Sequence, residues 1–396
     1  MGKIKLESLD KIRDALARRP SELEKARQGG AKVVGYFCSN IPEEIIVALG
    51  LIPVRLCRGG DVRQVEVGSR YVSTKNCVFI RQSLGMFAEG TDPYVRNSDI
   101  IAVAATCMQM YRLGELIEEY FERKPLILGV PRNFYLPEGK EYFRYELESF
   151  ARRLEKASGR LLEPEALKES IQLYGDIRET ISRIYKFQAL DSEPVTWREV
   201  FETIQAGFYL DRFQYRVLLK ELLRELEDSK PESHASGIDE KPRILLSGTI
   251  IAPGDTKLID IIEKMGGRVV ADDLCSGLRP LTHVNVKDYS IGSIADAYMD
   301  RVPCGSLPYL LSLETDRRLA NMADLIHTYR VEGIIYHTLR YCDPFTFKAV
   351  ETKKFFQDRA AFLEIHTEYA PVDVEALRTR VEAFMELIQN LRVVRC

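Results

Sequence analysis

Nothing in this sequence is long, apolar and uncharged enough to cross a bilayer, and its start, MGKIKLESLDKIRDALARRP, is charged where a secretory leader would be continuously apolar. A cytoplasmic protein is expected. No phosphate loop of the form G-x-x-x-x-G-K-[ST] occurs and no G-x-G-x-x-G follows a strand pattern, so neither ATP nor NAD chemistry is expected within the chain. The loop SGTIIAPGD after RILL reads as an ordinary strand-to-helix turn, not an anion site. An excess of one charge is missing too. The formal net charge is −3 over 396 residues, and the charged residues show no basic stripe, which argues against a nucleic-acid partner. Cysteines paired as C-x2-4-C are absent, which argues against a zinc finger.

What is present is a repeated alternation of strand and helix patterns. Hydrophobic residues make up 45% of the chain, enough for two cores, and a single core rarely grows past roughly 250 to 300 residues. Residues 1–30 read as a polar N-terminal helical segment, LESLDKIRDALA then SELEKARQ, stopped at Gly29 and Gly30. Residues 31–141 form a first α/β lobe, with strands KVVGYF, LIPVRL, DIIAVAAT and PLILGV. Its first helix, EEIIVALG, is expected to start with Asn40 as cap, Pro42 in the first turn and Glu43 as reciprocal carboxylate. Residues 142–228 carry apolar positions three and four apart and read as a helical connector packed on both lobes. The linker 229–242, within DSKPESHASGIDEKP, holds an exposed His234. Residues 243–396 resume the alternation as a second lobe. Strands separated by helices of this length imply parallel pairing, so the expected fold is α/β, with two Rossmann-like (flavodoxin-like) parallel-sheet lobes joined by a helical segment.

Four of the eight cysteines fall where a strand pattern runs out: Cys38 after KVVGYF, Cys107 after IIAVAAT, Cys275 after RVVADDL and Cys342 after EGIIYHTLRY. In open α/β sheets ligands bind at the carboxyl ends of strands, so thiols recurring there suit a cofactor crevice between the lobes. In a reducing compartment such cysteines are metal ligands or redox groups sooner than disulfides. Thiolates from well-separated loops can hold an iron-sulfur cluster, and a thiol at a helix start, such as Cys38 before SNIPEE, has its thiolate favoured by the helix dipole. The alternative for each is a buried apolar cysteine.

CSNIPEEIIVALGLIPVRL, NCVFIRQSLG, AATCMQM, DDLCSG, RVPC, RYCDPF and RTRVEAFME together resemble the 2-hydroxyacyl-CoA dehydratase D-component family, which includes benzoyl-CoA reductase subunits. The resemblance extends from about Gly35 to Leu387. It implies iron-sulfur enzymes of anaerobic metabolism: dehydratase subunits with one 4Fe-4S cubane on three cysteines in a heterodimer, or reductases with a double-cubane cluster (8Fe-9S, two bridged 4Fe-4S cubanes) in one chain. Here it implies six ligands, Cys38, Cys77, Cys107, Cys275, Cys304 and Cys342, which places the chain nearer the double-cubane reductases. The division of the six between cubanes stays open. Cys57 has no place in the pattern, and Cys396 is terminal.

The resemblance further implies a separate ATP-hydrolysing iron-sulfur activator as electron donor, and a homodimer fits such a two-fold symmetric partner. The expected function is low-potential reduction of a small molecule, an oxidoreductase activity that is ATP-dependent through its partner. The alternatives are a 2-hydroxyacyl-CoA dehydratase subunit, a lyase, and a non-catalytic electron-transfer protein. His337, just before Cys342, and Glu43 are candidate proton donors, each with a structural role as the alternative. His283, His327 and His366 show no clustering with the cysteines and receive no role.

Overall fold

The computed structural model describes residues 6–133, 135–229, 241–306 and 316–395. His234, most of the expected linker and Cys396 lie outside them. The first helix, α1 (Glu7–Gln28), runs unbroken through Pro20. Its Leu9, Ile12 and Ala15 pack into one core while Leu23 packs into another, so α1 ties the two halves of the molecule together.

The first lobe follows as β1 (Val33–Phe37), α2 (Glu43–Ala48), β2 (Ile52–Arg55), α3 (Val62–Gly68), α4 (Val78–Glu89), α5 (Pro93–Asn97), β3 (Ile100–Ala105), α6 (Met108–Phe121) and β4 (Leu126–Gly129). Its four strands are parallel in the order β2-β1-β3-β4, with Val33 opposite Ile52 and Val34 opposite Ile100. The start of α2 differs from the sequence expectation. Pro42 is the N-cap with no side-chain bond, because Asn40 and Glu43 are drawn away to other partners described below.

Four helices then connect the lobes: α7 (Pro137–Ser158), α8 (Pro164–Tyr185), which packs into both cores, α9 (Trp197–Ala206) and α10 (Arg212–Asp228). Phe143, Leu147 and Phe150 of α7 pack on the first sheet, while Leu219 and Leu222 of α10 join the core of the second.

The second lobe contains β5 (Arg243–Gly248), α11 (Lys257–Lys264), β6 (Arg268–Asp273), α12 (Ile291–Asp300), α13 (Arg317–Thr328), β7 (Gly333–Leu339), α14 (Asp343–Phe356), β8 (Ala361–Thr367) and α15 (Val374–Arg395). Its sheet is parallel in the order β6-β5-β7-β8, the same arrangement as the first. The molecule is therefore α/β with two Rossmann-like lobes. α12 leaves its own lobe, and its Ile294, Ala295 and Tyr298 pack in the core of the first. In each sheet the chain reverses direction of growth between the two central strands, and side chains accumulate at the carboxyl ends beside such a switch. Among the described residues, no helix is long and apolar enough to cross a membrane.

Candidate metal centre

Strands β1, β3, β5 and β7 are buried almost throughout, so a reactive side chain can reach open space only where each strand leaves its sheet. Cys38 follows β1 directly and takes φ 77, a left-handed conformation that costs energy for a residue with a Cβ. Cys107 is the N-cap of α6, and its Sγ accepts from Met110 N–H at 3.4 Å. Cys77 is the N-cap of α4 and Cys342 of α14. These three helices run 14, 12 and 14 residues, so three thiols stand at the positive ends of three helix dipoles. Cys275 follows β6. Cys304 lies after α12, with its Sγ 3.1 Å from Ser306 Oγ, whose hydroxyl in turn donates to Thr106 O across the lobes.

All six expected ligands line one cavity of about 780 Å³, its mouth included. Cys57, which has no place in the family pattern, lines it as well. It is buried at the end of β2, and Tyr209 Oη donates to its carbonyl. The remaining wall is largely apolar, with Phe79, Ile80, Met110, Ile250, Leu339 and Phe345, and it includes no carboxylate among the described residues.

This donor set suits a cluster better than a single ion. Among the described residues, no three Cys, His, Asp or Glu side chains close around one point as a mononuclear site needs. A cluster is held by thiolates on several of its irons and calls for sulfurs spread around a cavity, which is the arrangement seen.

Burial pushes the Cys57 and Cys107 thiols each up to about 12 and raises Cys275. Cys77 and Cys342 share a hydrogen bond that lowers the first and raises the second, so the pair gives up its first proton from Cys77. A metal binding such thiols would replace their protons, which leave to solvent, so metal affinity here rises with pH.

Three guanidiniums surround the side of the cavity where Cys38, Cys275 and Cys304 sit, and nothing in the sequence pattern marks them. Arg55 Nη1 donates to Cys275 O at 2.9 Å, its Nη2 lies 3.8 Å from Cys275 Sγ, and its face covers Phe208. Burial acts to lower Arg55, but the facing Cys57, Cys275 and Cys38 outweigh it and hold it charged. Arg279 pairs with Asp273 at 2.9 Å. Arg301 donates to Ser39 O at 3.0 Å and Asn40 Oδ1 at 2.5 Å, while Asn40 Nδ2 donates to Cys38 Sγ at 3.5 Å.

The two candidate proton donors are held elsewhere. His337 is 1% exposed and does not line the cavity; its Nε2 lies 2.6 Å from Thr367 Oγ1 and its Nδ1 3.3 Å from Thr249 Oγ1. Burial pushes it down to about 3, so it is neutral at ordinary pH. Glu43 accepts from the Tyr36 and Tyr174 hydroxyls and from Arg212 Nε at 2.6 Å. Burial works to raise it, yet these partners hold it below the usual carboxylate range, so it acts as an acceptor. His283, His327 and His366 are exposed.

The pattern of the family described as 2-hydroxyglutaryl-CoA dehydratase, D-component, matches residues 38–388. Three relatives align over most of their length. "Putative dehydratase subunit YjiM" of Escherichia coli (strain K12) is 24% identical over 91% of this chain and 93% of its own. The (R)-phenyllactyl-CoA dehydratase beta subunit of Clostridium sporogenes is 22% identical, covering 92% and 94%. One of the benzoyl-CoA reductase subunits of Thauera aromatica is 23% identical, covering 83% and 82%.

Proposed function

Because the chain belongs to the 2-hydroxyglutaryl-CoA dehydratase, D-component family, we propose that it is an oxygen-sensitive reductase in which Cys38, Cys77, Cys107, Cys275, Cys304 and Cys342 hold a double-cubane iron-sulfur cluster. The observation that carries this reading is the meeting of six thiols from both lobes in one cavity. When bound, the cluster would supply electrons at low potential to a small molecule.

The chain's own residues do the rest. Cys77, Cys107 and Cys342, at helix N-termini, would hold one cubane. Cys38, Cys275 and Cys304, among the guanidiniums, would hold the other, and each trio draws on both lobes. Phe79, Ile80, Met110 and Phe345 give the thiols an apolar wall, which strengthens the charge interactions beside it. Electrons would come from a separate ATP-hydrolysing iron-sulfur activator docking on a homodimer. The missing phosphate loop agrees with ATP acting only on that partner.

A 2-hydroxyacyl-CoA dehydratase subunit with one 4Fe-4S cluster is the second reading, favoured by relatives that bear dehydratase names. It asks for a partner subunit and three ligands where this cavity offers six. Mixing the anoxic chain with activator and ATP tests the proposal. The expected result is ATP-dependent bleaching of the cluster's visible absorbance, restored by a reducible small molecule without any second subunit. Dependence on an acyl-CoA and a second subunit would establish the dehydratase instead. Full reversibility with no substrate consumed would leave an electron carrier.

A further inference from the structure

A second chamber, of about 670 Å³ with its mouth included, adjoins the cysteine cavity, and Arg55 lines both. Four guanidiniums face this chamber, and two of them are neutralised within the protein: Arg212 by Glu43 at 2.6 Å, and Arg178 by Glu44. Arg55 and Arg301 have no carboxylate partner among the described residues, although they are only 2% and 5% exposed. Arg301 Nη2 reaches only neutral oxygens, those of Ser39 and Asn40, and Arg55 Nε has no acceptor. An unpaired buried cation costs several kcal/mol, so the fold holds two positive charges in want of an anion. The Cys275 sulfur answers in part for Arg55, whose Nη2 lies 3.8 Å from it, but no sulfur hydrogen-bonds Arg301. The rest of the chamber combines hydrocarbon, notably Ile177, Ile181 and Ile204, with tyrosines such as Tyr174 and with Glu43, whose charge Arg212 answers.

We propose that this chamber binds a small organic carboxylate, its head between Arg301 and Arg55 and its apolar body against Ile177, Ile181 and Ile204. The site rests on the reductase reading and gives the chemical class of its substrate. Bound there, the anionic end lies beside Arg55, the side chain that also lines the cysteine cavity.

Calorimetric titration of the anoxic, iron-loaded protein tests this with butyrate and its neutral isostere butyramide. Butyrate is expected to bind saturably, and butyramide at least about tenfold more weakly, as the loss of a charge-assisted contact implies. Arg301→Met is expected to weaken butyrate at least about tenfold, and Arg301→Lys to restore much of the loss. Equal binding of acid and amide by the wild-type chain would overturn the proposal, and so would butyrate affinity unchanged in Arg301→Met. The isostere comparison needs no variant, so a misfolded substitution does not decide the matter. Iron measured on the same samples separates the two ideas: full iron without butyrate binding removes the chamber alone, and butyrate binding without iron keeps the chamber and removes the reductase.

Discussion

Four thiols of the cavity are each set by a backbone device, a left-handed residue at Cys38 or a helix start at Cys77, Cys107 and Cys342. Losing one should therefore not be made good by a neighbour. Cys342→Ala is expected to lower iron content well below that of the wild-type chain; unchanged iron and colour would remove it from the ligand set. Cys57→Ala is expected to keep its iron, since Cys57 lies outside the family's ligand pattern although it lines the same cavity. His337 gives a second test at this scale. Its pKa is about 3 in the fold against about 6.5 unfolded, so between those values the unfolded chain binds the extra proton. Stability should then fall as pH drops below about 6.5, by at most about 1.4 kcal/mol per unit from this group, levelling near pH 3. Lys257 and His366 are the charged neighbours that add to the effect. The urea midpoint of His337→Gln should depend less on pH in that window than that of the wild type, and equal slopes would assign the acid sensitivity elsewhere. Cys38, Cys107, Cys275 and Cys342 were legible because a thiol at the end of an apolar strand stands out against its surroundings, whereas Cys77 and Cys304 entered only through the family resemblance. Arg55 and Arg301 were not, because an arginine in IPVR or after AYMD reads as a surface charge until both lobes bury it.

Among the elements, α3 and α4 make the tightest crossing. A Cβ on Gly68 would lie 1.7 Å from Arg81 O, and one on Gly85 would lie 1.9 Å from Gln64 O. Backbone blocks each, so neither helix can yield without shifting the other. Gly85→Ala is expected to destabilise by about 1 to 3 kcal/mol and, because Cys77 caps α4, to reduce iron retention. Gly175→Ala in α8 meets nothing within 4 Å and should be neutral or stabilising by up to about 1 kcal/mol. Melting curves and iron assays on the two variants check the pair, and equal behaviour would contradict the crossing. The alternation of strands and helices was readable from periodicity, but α3, α4 and α5 were not. α3 and α5 span only 7 and 5 residues. α4 is buried on nearly every face, which erases the one-sided stripe that marks a surface helix. The start of α9 did carry a signal, since Thr196 and Glu199 form a capping box within TWRE.

Over the whole molecule, two sheets of the same strand order turn their carboxyl ends onto one cavity, with two of the proposed ligands following each sheet's strands and Cys77 and Cys304 reaching it from loops after helices. A metal centre held this way would staple the lobes, adding to α1 and to bonds such as Arg55 to Cys275 O and Tyr298 Oη to Glu44 at 2.9 Å. Anoxic chelation of iron is expected to lower the apparent melting temperature by several degrees and to speed amide exchange in 38–41, 275–278 and 342–345 together. Exchange confined to one lobe would speak against a shared centre. That two lobes exist was readable from the repeated pattern, whereas α12 packing on the opposite lobe depends on Ile294, Ala295 and Tyr298 finding a partner distant in sequence. The most direct measurement is iron and acid-labile sulfide per chain after anoxic purification. About eight iron atoms are predicted, falling when Cys38, Cys107 or Cys342 is replaced. About four would contradict the double-cubane assignment, and none would remove the iron-sulfur centre altogether.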